Sequence, residues 1–244
     1  MKNLIITFLF LLSANAAFAH FMWIETSPSG KLNQKHEVKV FFGEYTYGVR
    51  EKTDGEAFGK MKNFEVWLIG PGGEKSKLQL QPSANYYSGS FVPSAKGTYT
   101  VILNNNKVDV IDYTQYNFGI FKTHYHSTAR VDVGSGAPAT ATANNEGITI
   151  IDVTGKPHAK GGEALLKILY KGQPLKEGEV TAFISDQWNK KLYTDKDGLV
   201  RLALPWDGVY LFEATTKEEV PGSYNGKDYQ FIWHCATYRI AAQK

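Results

Sequence analysis

Alternation of apolar and polar residues with a period of two recurs along this chain, and it constrains the fold more than any other feature. Glu37 to Phe41, Phe64 to Ile69 and Thr98 to Leu103 read as strands rich in β-branched and aromatic residues. The same pattern returns in Leu165 to Tyr170, Glu179 to Ile184, Val200 to Leu204 and Val209 to Ala214. Pro71-Gly72-Gly73 and Ser94-Ala95-Lys96-Gly97 supply turn chemistry between strands. No amphipathic helix of ordinary length interrupts the series, and the polar, glycine-bearing segment from Gly48 to Met61 reads as a long loop with room for one helical turn. These signals predict an all-β chain of two β-sandwich domains in tandem, immunoglobulin-like or prealbumin-like. The small, polar stretch 134–147 cannot bury much apolar surface and is expected to be a linker between an N-terminal domain, 20–133, and a C-terminal domain, 148–244.

The first residues predict export. Lys2 gives a basic start, Leu4 to Leu12 an apolar core, and Ala17-Phe18-Ala19 the small-x-small pattern read by a signal peptidase. Cleavage would leave His20 as the first residue of a periplasmic protein. The apolar run is too short for a permanent anchor, and no later stretch approaches the roughly 20 apolar residues of a membrane span, so no stable membrane insertion is expected. The formal charge of +3, with no long run of one sign, lacks a nucleic-acid footprint. The single cysteine, Cys235, cannot form an internal disulfide, so packing must supply the stability.

Histidines carry the chemistry. Once freed by cleavage, the α-amino nitrogen and Nδ1 of His20 can close a chelate ring on one ion, and two such nitrogens suit divalent copper, nickel or zinc. In Thr123-His124-Tyr125-His126, strand alternation places His124 and His126 on one face, about 6.6 Å apart by strand rise, close enough to share an ion. His20, His124 and His126 are therefore the expected metal ligands. His234, in Phe231-Ile232-Trp233-His234-Cys235-Ala236, reads as part of a buried final strand, with a soft site beside Cys235 as the alternative. His36 and His158 read as solvent-facing, Met22 as core, and Glu25 and Glu44 as carboxylates without a fixed place.

The C-terminal half carries a family pattern: Gly172-Gln173-Pro174-Leu175, Gly178-Glu179-Val180, Thr194-Asp195-Lys196-Asp197-Gly198, Leu204-Pro205 and Gly208-Val209-Tyr210. With the opening Ala19-His20-Phe21-Met22-Trp23-Ile24-Glu25, it resembles the NikM-like periplasmic family associated with nickel or cobalt uptake. The resemblance implies a metal ion as ligand and a transporter component of the cell envelope as partner. By their own chemistry most of these residues are structural, since Asp-x-Asp-Gly makes a tight turn and Gly-x-Tyr sets an inward aromatic.

Hydrolase and phosphate-binding motifs are missing: the chain has no Gly-x-Ser-x-Gly, His-Glu-x-x-His or glycine-rich phosphate loop. A non-enzymatic metal-binding protein acting in uptake or delivery is the expected function. The competing readings are a metal-free sandwich module of an envelope assembly and a copper-dependent polysaccharide monooxygenase using His20.

Overall fold

A computed structural model describes residues 20–134, 144–154, 157–184 and 188–244, so the expected signal peptide and residues 135–143 of the expected linker lie outside the described residues. The N-terminal half forms β1 (Phe21–Thr26), β2 (His36–Glu44), β3 (Glu65–Ile69), β4 (Tyr87–Phe91), β5 (Gly97–Asn105) and β6 (Gly119–Val133). The C-terminal half forms β7 (Ile148–Asp152), β8 (Gly162–Tyr170), β9 (Glu179–Ile184), β10 (Trp188–Tyr193), β11 (Leu199–Leu204), β12 (Gly208–Glu218) and β13 (Phe231–Ala242). The segment read as a loop holds a short strand, Val49–Arg50, and one four-residue helix, Glu56–Gly59, whose Phe58 is fully buried. Among the described residues no helix is long and apolar enough to cross a membrane.

Three sheets build a β-sandwich architecture in which the middle sheet is shared. One outer sheet pairs β2 with β1 and β4, and the other pairs β8 with β7 and β11, all antiparallel. Between them a single sheet runs β10, β9, β12, β13, β6, β5, β3. Its junction is the parallel pairing of β6 with β13, from Phe121 opposite Phe231 to Thr128 opposite Tyr238. The two halves are thus hydrogen-bonded strand to strand.

Strand alternation then sends neighbouring residues into different cores. Tyr125, Val131 and Val133 of β6, Leu211 of β12 and Cys235 of β13 join Trp23, Val40 and Phe58 on one side. Tyr210, Phe212, Ala236, Tyr238 and Ile240 point the other way, to Ile150, Leu166 and Val200. A strand buried on both faces reads as a near-continuous run rather than a clean alternation, which is why β6 and β13 are the least patterned strands of the sheet. Within the first core Trp23 is 0% exposed and stacks on Phe41 at 5.4 Å. Burial of a side chain of this kind contributes about 1.5–3 kcal/mol.

The halves repeat one device. Tyr99 donates its hydroxyl hydrogen to the carbonyl of Ala95 at 3.1 Å, and Tyr210 does the same to the carbonyl of Trp206 at 2.9 Å. Each is preceded by a glycine two residues earlier, Gly97 at φ 134° and Gly208 at φ 129°, a conformation that side-chain-bearing residues rarely adopt. These are tyrosine corners, which tie a strand entry to the chain just before it in sandwich folds. The Asp-x-Asp-Gly turn is structural as well: the Asp195 carboxylate accepts the N–H groups of Asp197 and Leu199, with Gly198 at φ 74°.

Candidate metal centre

β6 and β13 set three imidazoles on the same face of the shared sheet. His124 and His126 alternate with Tyr125 on β6, and the parallel register puts His234 directly opposite His124. One nitrogen from each of His124, His126 and His234 lies within 4.8 Å of the other two. His126 and His234 are each 1% exposed, whereas His124 is half-buried and forms the solvent side of the group.

The donor and acceptor roles around the rings follow their tautomers. Asn144 Oδ1 accepts the N–H of Glu146, so its Nδ2 donates to Asn104 Oδ1 at 2.6 Å. In one His126 tautomer Asn104 Oδ1 in turn accepts from Nδ1 at 2.8 Å. At the far end His234 Nε2 donates to Glu218 Oε2 at 3.0 Å, and Lys171 holds the other carboxylate oxygen at 2.5 Å. With both outer nitrogens carrying hydrogen, neutral His126 presents a bare Nε2 and neutral His234 a bare Nδ1. These two lone pairs face each other at 3.1 Å. With the other His126 tautomer, Nδ1 accepts from Asn144 Nδ2 at 3.3 Å and Nε2 donates to His234 Nδ1, which completes the chain.

A divalent ion also suits the 3.1 Å between these two nitrogens. Two metal–nitrogen bonds of about 2.0–2.1 Å meeting at about 100° span roughly 3.1 Å. A carbonyl on one ligand's outer nitrogen and a carboxylate on the other's are the partners that orient metal-binding imidazoles. Burial, with the charges of His234 and Lys122, lowers His124 to about 3. His126 is held well below the ordinary imidazole range by burial, and His234 is lowered by burial against the opposing pull of Glu218. All three rings are therefore neutral at pH 7, the form that binds metal. Burial works to raise Glu218, but hydrogen bonds from Lys171, His234 and Tyr170 hold it down at about 2. Gly147 closes the site from above, where a Cβ would stand 2.0 Å from His126 Nε2.

The structure gathers His124 and His126 with His234, and it does not gather His20 with them. His20 sits behind the opposite face of β6, where its carbonyl accepts the Tyr125 hydroxyl at 3.2 Å. Its Nε2 meets Glu51 Oε1 at 2.8 Å and its ring packs on Phe42. Alternation also separates His234 from Cys235, whose thiol donates to Glu213 Oε1 at 3.0 Å on the other face, so a soft site built from that pair is excluded. His36 is buried against Phe91 and hydrogen-bonded to Thr26, and His158 is enclosed with Asp152 at 2.6 Å, so neither is solvent-facing. Met22 is fully buried, Glu25 accepts from Trp23 and Arg50, and Glu44 lies buried near His20. The part played by His234, Asn104 and Glu218 could not be read from spacing, because they lie on separate strands. The one local signal was a histidine in an otherwise apolar strand.

A family model described as Domain of unknown function (DUF4198) matches residues 17–218. The chain belongs to the DUF4198 family. That description assigns no activity, so the likeness to nickel and cobalt uptake proteins rests on the residues quoted above. A search among curated proteins finds no match. Among solved structures, the DUF4198 chain is similar to the Lin-41 filamin domain, with 15% identity and a TM-score of 0.29 over 47% of this chain and 93% of that one. It is also similar to Salmonella alpha-2-macroglobulin reacted with methylamine, with 11% identity and a TM-score of 0.28 over 93% of this chain but 15% of that one. A biofilm-associated protein BSP domain gives 11% identity and a TM-score of 0.23 over 92% and 30% of the two chains.

Proposed function

We propose that this DUF4198 protein is a periplasmic carrier of a divalent transition metal, nickel, copper or cobalt, held by His124, His126 and His234. The observation that carries the reading is the convergence of His124, His126 and His234, with one ring nitrogen of each within 4.8 Å of the other two. Uptake or delivery is the purpose, and a transporter component of the cell envelope is the partner. His20 adds a separate, more exposed station: with Glu51 on Nε2, its Nδ1 and a freed main-chain nitrogen remain for a chelate.

The competing reading, a metal-free sandwich module, draws on Glu218. A proton on His234 would complete the hydrogen-bond chain, and the Glu218 carboxylate would balance its charge. Metal content and calorimetric titration of untagged protein recovered from the periplasm separate the two. Binding of nickel, copper or cobalt that falls by one equivalent in His126→Ala, with the His20 station intact, supports the carrier. No binding at the trio, in protein that is folded and processed, supports the module.

A further inference from the structure

Three imidazoles are neutral donors, so an ion on them keeps its full charge of two, and the geometry of Glu218 decides what completes its shell. Oε2 of Glu218 is bound to Nε2 of His234, whereas the nitrogen facing the ion is Nδ1, on the other flank of the same ring. Oε1 is taken by Lys171. Glu218 therefore orients His234 and is turned away from the ion. Lys122 stands two residues from His124 on β6, and Lys171 already pairs with Glu218. His124, half-buried, is the ligand next to solvent.

We infer that the fourth position of the three-histidine site, on its His124 side, takes an exogenous carboxylate, so that the metal is carried as a ternary complex with a small organic acid. This rests on the metal-binding reading above. An anion entering there lowers the positive charge that the ion keeps on three neutral ligands, which a fourth neutral donor would not do. Three protein nitrogens plus one open position is also the arrangement that lets a site bind and release a small ligand.

Cobalt(II) is the probe, because its visible bands report the ligand set. Full-length processed protein is loaded with cobalt and titrated with azide, then with acetate in competition. The expected result, read in His20→Ala so that only the trio holds cobalt, is a saturable shift of the cobalt bands with azide, reversed by acetate. Cobalt that binds but whose bands do not move with azide overturns the inference. So does a shift that appears only in Glu218→Gln, which would make Glu218 the fourth ligand. Cobalt that fails to bind, or binds equally well to a folded His126→Ala protein, overturns the metal reading underneath and is distinguished by metal content alone.

Discussion

His126 Nε2 and His234 Nδ1 meet at 3.1 Å, each ring held by a further partner on its opposite side. An ion that binds the folded trio and not the unfolded chain should stabilise the protein as well as load it. Removing either ring is expected to lower metal affinity about 100-fold or more, since even the outer partners of metal ligands change it 10–100-fold. Calorimetry on His126→Ala and His234→Ala, with circular dichroism to show retained strand content, checks this.

Gly147 gives a test that leaves every ligand in place. An alanine Cβ there would stand 2.0 Å from His126 Nε2, so the ring must turn away. Gly147→Ala should weaken metal binding and cost about 1–3 kcal/mol of stability from overpacking, read by urea denaturation. Unchanged affinity would mean that Nε2 of His126 is not a ligand.

Two groups on opposite faces of the shared sheet should pull stability in opposite directions with pH. His124 has a folded pKa of about 3 against an ordinary 6.5, so below pH 6.5 the unfolded chain takes a proton the folded one refuses. Its contribution is present above 6.5 and lost as pH falls towards 3. Glu213 is raised by burial to about 7 from 4.5, so it destabilises the fold as pH rises from 4.5 through 7. Metal-free His124→Ala should lose less stability on acidification from pH 6.5 to 4, and Glu213→Gln should lose less on alkalinisation from pH 4.5 to 7. Denaturation midpoints across that range decide both.

The tyrosine corners should be independent of the metal. Tyr99→Phe and Tyr210→Phe each keep the ring and delete one hydroxyl bonded to backbone, at a cost of about 0.5–1.5 kcal/mol apiece. Cobalt affinity should not change in either. A drop in affinity without a drop in stability would contradict the separation of corner and site.

How far the molecule could be read from its sequence follows from where each signal is stored. Many strands away from the junction, and their turns, were legible, since runs such as Glu179 to Ile184 carry their alternation locally. His124 and His126 were legible as a pair because two residues apart on a strand means one face. His234 was not, because its tie to His124 comes from a parallel pairing between strands about 110 positions apart, for which neither strand carries a local sign. His36 and His158 were misread for a different reason. Polar segments look exposed in sequence, but here one histidine is capped by Phe91 and the other enclosed with Asp152. Asn144, inside the segment expected to be a loose linker, is buried and hydrogen-bonded to Asn104 because it roofs the trio.

The parallel junction of β6 with β13 also sets an order of events. β6 has its strand-forming edge open until Phe231–Ala242 arrives, and those residues leave a ribosome or a translocation channel only after all the strands of the C-terminal half described here. Such long-range closure is slow and leaves an edge exposed meanwhile. Because His234 comes with that closing strand, a nascent or truncated chain lacks the complete trio. An ion held by all three histidines would then mark a chain that has finished folding.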